Sequence, residues 1–372
     1  MIPLFINASE PSEANSSNEK KEYKGVRKLV YQFLNPDPNK NLRVIPMISA
    51  SYDPDNGFGA GAFVDFYFRL NQDSTTPLSY VSVPFYMSMN RQMVVGATAD
   101  LYFGSKYRLF TSFRYIQNPT PYYGVYSRDP VQEKEIFQHN YYKIQINALR
   151  EVKNGFYLGG NYFFQKSQDI EFLAGGSIDF SDATGKEGYT YSGAGLSAQY
   201  DTRDKITSPY SGVNLTFRST FFAPFLGSDN FNTGLSFSIS NYQQIKKSEH
   251  IIALQLGGDF FTSEPPFALM NTFGNGRLMR GYRSGKYLDR NRVYTQAEYR
   301  FPIFWRFRGA IFGGLATVNS NFQDFQFNDL KFAGGGGLRL VVDEKERLSL
   351  RFDVASSFDG GYGFYFSVNE AF

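Results

Sequence analysis

The sequence predicts an all-β protein: a 16-stranded antiparallel transmembrane β-barrel with a short N-terminal extension. Three observations predict it. First, segments of about ten residues alternate strictly, and the polar face of that alternation carries charges that would be costly in a packed core: Asp65, Asp100, Lys143, Asp201, Arg218, Glu298, Arg339 and Arg351. Second, aromatic residues crowd the strand ends, as in the girdles of outer-membrane barrels, in a chain with Phe 39, Tyr 27 and Trp 1. Third, the connections sort by parity. Short ones follow even-numbered strands, and the three longest, 117–137, 167–189 and 263–291, all follow odd-numbered ones. A barrel that starts and ends in the periplasm has this asymmetry of short turns and long outer loops.

The chain opens on Met1 to Ala8, a short apolar stretch that reads either as the tail of a secretory signal or as a disordered beginning. Ser9 to Glu22 has the polar composition of a linker, so 1–22 is expected to be a signal remnant and flexible linker. Within 23–41, Val26, Leu29, Val30, Phe33 and Leu34 recur at helical spacing beside Lys24, Arg27 and Lys28. This short amphipathic segment ends at Asn35-Pro36-Asp37-Pro38.

Residues 42–372 are then strand after strand: 42–52, 57–70, 78–89, 92–103, 106–116, 138–151, 155–166, 190–202, 211–223, 232–245, 249–262, 292–302, 307–319, 331–342, 346–356 and 362–372. The pattern is clear on 106–115, where Tyr107, Leu109, Thr111, Phe113 and Tyr115 oppose Lys106, Arg108, Ser112 and Arg114. On 347–354, Leu348, Leu350, Phe352 and Val354 oppose Arg347, Ser349, Arg351 and Asp353. No run reaches the roughly 18 apolar residues of a membrane helix, which excludes a helical membrane protein but not a barrel. Cysteine is absent, so a disulfide framework and thiolate metal sites are excluded. The net charge of +3 is too small to argue for nucleic acid as a partner.

The stretch from Gly276 to Phe301 organises the rest. A polar loop carrying Arg280-Gly281-Tyr282 leads into a strand on which Arg292, Tyr294, Gln296, Glu298 and Arg300 alternate with Val293, Thr295, Ala297, Tyr299 and Phe301. Two further places go with it: Tyr200-Asp201-Thr202-Arg203-Asp204 with Pro209 and Gly212, and the ending GFYFSVNEAF. Together they resemble the BamA/TamA superfamily of outer-membrane assembly and translocation proteins (the bacterial surface antigen family). The resemblance implies an inward-folded loop after the eleventh strand, with Arg280 pointing into the lumen and paired with Glu298. Taken alone, Arg-Gly-Tyr is a turn with a solvated cation. The resemblance also implies a C-terminal assembly signal at Gly363, Phe366, Val368 and Phe372, with Phe364, Phe366, Val368 and Phe372 facing lipid.

Three departures stand out. The polar position opening the signal is Gly361. The acidic position expected after Phe312 is Gly314, so Glu298 is expected to be the main partner of Arg280. The roughly 40 residues before Leu42 cannot hold a periplasmic POTRA module, since domains seldom fall below about 50 residues, so a barrel-only member is expected.

Catalytic chemistry has little support. His139 and His250 lack a neighbouring nucleophile pattern and read as solvated histidines. No cluster has metal-ligand spacing, and Gly334 to Gly337 lie inside a strand, where they mark close packing rather than a phosphate loop. The sequence therefore points to a non-enzymatic outer-membrane barrel of bacteria without cofactor, metal or small-molecule substrate. It would act in protein insertion or translocation, with membrane lipid and other outer-membrane assembly proteins as partners. The alternative is a passive pore or structural surface barrel. The edge between the first and last strands is expected to be weak, because Pro46 in the first strand has no N–H to donate.

Overall fold

The computed structural model describes residues 42–53, 57–70, 76–89, 92–124, 135–172, 183–246 and 248–372. The expected signal remnant and linker (1–22) and the amphipathic segment (23–41) lie outside the described residues. The alternating segments become β1 (Leu42–Asp53), β2 (Gly57–Phe68), β3 (Ser79–Ser88), β4 (Met93–Phe103), β5 (Tyr107–Tyr122), β6 (Glu135–Lys153), β7 (Phe156–Phe172), β8 (Tyr189–Asp201) and β9 (Gly212–Phe222). They continue as β10 (Asn232–Gln244), β11 (Ile251–Phe261), β12 (Asn271–Thr272), β13 (Leu288–Asp289), β14 (Asn291–Phe304), β15 (Phe307–Asn319), β16 (Lys331–Asp343), β17 (Leu348–Ser357) and β18 (Tyr362–Val368).

Sixteen of these strands follow one another in one antiparallel sheet, β1 to β11 and then β14 to β18, while β12 and β13 pair only with each other. Each expected strand overlaps an observed one, but the total is eighteen rather than sixteen. A two-residue strand has no periodicity by which to find it. β5, β6 and β7 run further outward than expected. Beyond Gln117, β5 pairs with β6 but not with β4, leaving an edge where Pro119 and Pro121 need cost no ladder bond.

Burial is inverted relative to a water-soluble protein. On β17, Phe352 and Val354 are 43% and 41% exposed, whereas the intervening Arg351 and Asp353 are 1% and 0%. The same alternation puts Phe113, Tyr142, Leu196, Phe217 and Leu254 outside. An apolar outer band and a polar inner face are what a lipid environment requires, since a charge at mid-membrane costs a barrel about 2–4 kcal/mol.

The sheet is rolled, with its ends in contact but its ladder open. Ile45 and Tyr67 from β1 and β2 pack in one apolar cluster with Val342, Leu348 and Val368 from β16, β17 and β18. Arg43 Nε lies 3.2 Å from Asp343 Oδ2, and Asn369 donates to the Tyr67 hydroxyl at 3.0 Å. No backbone pairing joins β1 to β18 among the described residues. Side chains clasp the seam where hydrogen bonds would otherwise close it. Pro46 sits on this edge strand, paired on one side only, with β2, and proline in sheets is confined to such edges.

At the end of the short turns, three connections converge. Glu346, between β16 and β17, accepts from Arg69 Nη2 (3.0 Å), which follows β2, and from Lys205 Nζ (3.2 Å), which follows β8. Thr207 donates to the Glu346 carbonyl, and Arg347 Nη1 bonds Asp204 Oδ2 at 2.6 Å while its guanidinium stacks on Tyr210. The connection after β8 thus reaches across the mouth to the connection after β16.

Candidate functional site

The long connection between β11 and β14 folds back into the rolled sheet. Its two ends pack against one wall: Phe267 and Met270 near its start and Leu288 near its end join Tyr122 of β5 and Phe137 of β6 in a buried cluster. Its middle packs against the opposite wall, where Phe273, Leu278, Met279, Tyr282 and Tyr287 meet Ala316, Val318 and Ala333. The β12–β13 hairpin pins its two ends together, and Arg292 of β14 holds both Asp259 of β11 and the Thr272 carbonyl.

At the tip of the loop, Arg280 is 3% exposed. Its Nη2 donates to Glu298 Oε2 at 2.8 Å and its Nη1 to Asp353 Oδ2 at 2.5 Å, and its guanidinium lies 3.3 Å from the Phe312 ring centroid. The alternative of a solvated turn is excluded by this burial. The expectation that Glu298 is the main partner needs correction: Asp353 on β17 is an equal one. Gly314 supplies no carboxylate because Met279 occupies that place, with its sulfur 3.0 Å from where a Cβ would stand.

Around Arg280 the charges form a closed set. Glu298 also accepts from Arg300 Nε (2.8 Å) and Arg339 Nη2 (3.1 Å), and Asp353 Oδ1 accepts from Arg339 Nη1 (2.6 Å). Glu370 accepts from Arg339 Nε at 3.1 Å and lies 3.6 Å from Arg300. Arg351 lies 3.5 Å from Asp353 and donates to the Gly276 carbonyl. Four guanidinium groups thus share three carboxylates, their side chains almost fully buried. Carboxylates bridged in this way hold the loop by bonds stronger than neutral ones, because taking any single member away leaves its partners charged in a dry site.

Glycines make the room. A Cβ on Gly337 would stand 2.0 Å from Asp353 Oδ1 and 2.7 Å from Arg339 Nη1, so the Gly334 to Gly337 run clears space for the clamp. Gly281 has φ 109, a value open to glycine, and its N–H donates to the Tyr365 hydroxyl on β18 at 2.9 Å. Tyr282 packs edge-on against Phe273 and Tyr287 and donates to the Phe332 carbonyl at 3.0 Å. All three residues of the Arg-Gly-Tyr motif therefore anchor the loop to the wall formed by β15 to β18.

The C-terminal residues divide. Phe364 and Phe366 are exposed on the outer face, as expected. Val368 and Phe372 do not face lipid. Val368 is 7% exposed, buried in the apolar cluster at the seam. Asn369 has φ 61, and this turn ends β18 and carries the chain inward. Glu370 then enters the arginine cluster, and Phe372 lies beside Arg300, which donates to its main-chain oxygen at 3.2 Å. Gly363 remains within β18, opposite Ala355. Sequence reasoning missed Glu370 because the tail was read as strand. It placed Asp353, Arg300 and Arg339 on inner faces, but alternation cannot say which of them meet.

The histidines also differ from expectation. His139 is buried rather than solvated, with Nδ1 3.3 Å from Ser167 Oγ and its ring stacked on Tyr141. His250 is half-buried, 2.6 Å from the Tyr299 hydroxyl.

Comparison with known proteins fits this geometry. The sequence pattern of the Omp85 superfamily domain matches residues 56–372. Among solved structures, BamA from Haemophilus ducreyi lacking POTRA domains 1-3 is similar at 14% identity and a TM-score of 0.56, over 88% of this chain and 70% of that one. CdiB from Acinetobacter baumannii is similar at 13% identity and a TM-score of 0.58, over 89% of this chain. The chain spans 60% of the length of CdiB. No curated protein matches in sequence. A rolled antiparallel sheet, apolar outside, with a long loop clamped inside it, defines an outer-membrane-type β-barrel. The chain belongs to the Omp85 superfamily.

Proposed function

We propose that this chain forms a sixteen-stranded transmembrane barrel in the bacterial outer membrane and acts there, without enzymatic chemistry, in the insertion or translocation of other proteins. The observation that carries the reading is the seam. Among the described residues its first and last strands touch through side chains yet share no ladder, while the rest of the sheet is continuously paired. Unpaired backbone groups beside lipid cost several kcal/mol each, so such an edge favours pairing with a strand from elsewhere. The buried clamp on Arg280 keeps β14 to β18 rigid on one side of that edge. Membrane lipid would be the solvent of the outer face, and periplasmic or outer-membrane assembly proteins the partners at the short-turn end.

The test locks the seam. Ile45→Cys with Val368→Cys, introduced into this cysteine-free chain, would be crosslinked in cells that depend on the protein. The levels of other outer-membrane proteins would then be followed. Locking is expected to lower them, with recovery on reduction. Unchanged levels in the locked state, together with steady single-channel conductance of the purified barrel, would favour a passive pore and overturn the reading.

A further inference from the structure

We infer that the lumen holds an anion-binding site on the wall opposite the arginine clamp, formed by Lys143 of β6 with Arg218 of β9 and Arg114 of β5, for a phosphate-type oxyanion. The three residues belong to inner-facing positions of their strands. Arg114 and Lys143 stand directly opposite each other in the β5–β6 ladder. Like charges at such a pair repel, and nothing in the sheet requires them there. Arg218 is also near enough to Lys143 for its charge to be felt.

Among the described residues one carboxylate, Asp259, is near enough to act on these charges, and it faces Arg218 alone. Among the described residues none of the three makes an ion pair, and the ammonium of Lys143 has only the face of Phe163, 5.2 Å away. The nearest acid is Asp259, and it is already committed. Its Oδ1 accepts from Ser236 at 2.7 Å, and its Oδ2 accepts from both Nε and Nη2 of Arg292. This is the reverse of the clamp, where every arginine contacts at least one carboxylate.

Two of the three cations also border a built space. A recess of about 220 Å³ is lined by Lys143 and Arg218, by the neutral hydrogen-bonding side chains of Gln145, Thr220 and Ser236, and by Asp259, whose oxygens are taken up by Ser236 and Arg292. Lysine supplies a compact point charge and arginine a planar fork, a pairing suited to a tetrahedral oxyanion. Arg114 and Arg218 are themselves exposed to the lumen, so an anion can approach without displacing the loop. The source of the oxyanion is either free phosphate or the phosphate of a lipid headgroup. This site is independent of the reading of the seam.

Purified protein in a neutral detergent and phosphate-free buffer would be titrated calorimetrically with inorganic phosphate and, separately, with monomeric dihexanoylphosphatidic acid. Binding of inorganic phosphate assigns the site to the free anion, and binding of phosphatidic acid alone assigns it to a lipid headgroup. Lys143→Gln and Arg218→Gln should each weaken binding about tenfold or more, and Lys143→Arg should retain it. Heat-dependent electrophoretic mobility reports whether each variant is folded. Without phosphate, Lys143→Gln should unfold at a higher temperature than the parent, because a repulsion is gone. Failure of the parent to bind either probe at millimolar concentration, or equal binding by folded Lys143→Gln and Arg218→Gln variants, would overturn the site.

Discussion

Arg280 and Asp353 are joined by a buried charge-assisted bond of 2.5 Å, although 73 positions separate them. The bond ties the long loop to β17, two strands beyond the place where an acidic partner was expected. It makes the clamp a two-carboxylate device in which Glu298 contacts three arginines, 280, 300 and 339, and Asp353 bonds Arg280 and Arg339 closely with Arg351 at longer range.

This ordering predicts unequal losses. Glu298→Gln should destabilise the folded barrel by about 3–5 kcal/mol, the cost of breaking a buried pair. Asp353→Asn should cost less, because it removes two close ion pairs, to Arg280 and Arg339, and a longer one to Arg351, whereas Glu298→Gln removes three close ones. Urea unfolding followed by tyrosine fluorescence measures both. A larger loss for Asp353→Asn would show that the cluster is not organised around Glu298.

Restoring an acid at the expected position should not help. In Gly314→Asp the new Cβ would meet Met279 at 3.0 Å and Gln296 at 3.1 Å, so the loop must shift to admit it. The double variant Gly314→Asp with Asp353→Asn is expected to be no more stable than Asp353→Asn alone. A rescue of stability, read by the same unfolding curves, would contradict the packing described at Met279.

The inward tail reverses one expectation from the sequence. Phe366→Ser should reduce the folded, membrane-inserted fraction, since Phe366 is exposed on the outer face. Phe372→Ala should leave insertion close to normal and act instead on stability through Arg300. Semi-native electrophoresis of outer-membrane fractions separates the two. Loss of insertion in Phe372→Ala with normal levels of Phe366→Ser would refute the assignment.

The bridge across the short-turn mouth should resist mild acid. Burial alone would raise the Asp204 carboxyl, but hydrogen bonds from Arg347 and from the N–H groups of Tyr210 and Ser211 prevail and hold it below the usual carboxylate range. A carboxyl depressed in the folded state stabilises above its unfolded value, about 3.9, and loses that contribution as pH falls through its lower folded value. Spin labels at positions 206 and 345 should therefore keep a constant separation at pH 5 and above and part only below about pH 4. Separation between pH 5 and 6 would show that Asp204 does not hold the bridge.

Much of the architecture was legible because a membrane sheet writes its pattern twice, in alternation along each strand and in the length of each connection. Phe352 and Val354 against Arg351 and Asp353 announce their two solvents without any knowledge of neighbours. The clamp was legible only in part. Alternation places Arg300, Arg339 and Asp353 inside, but which of them meet depends on register and on how far the loop descends, and neither is local. Glu370 was hidden for another reason: the backbone reversal at Asn369 uses asparagine, which adopts left-handed geometry more readily than other non-glycine residues but marks a strand end only weakly.

The brevity of β18 has a kinetic consequence. It spans seven residues, against ten to nineteen for the other strands of the sheet. In an antiparallel arrangement about half of its residues turn their N–H and C=O groups toward the free edge, enough for roughly four residues to engage a newcomer. A polypeptide docked there would be held by a short zipper with a fast dissociation rate, and repeated turnover would follow from geometry, with no energy source needed to pull the product away.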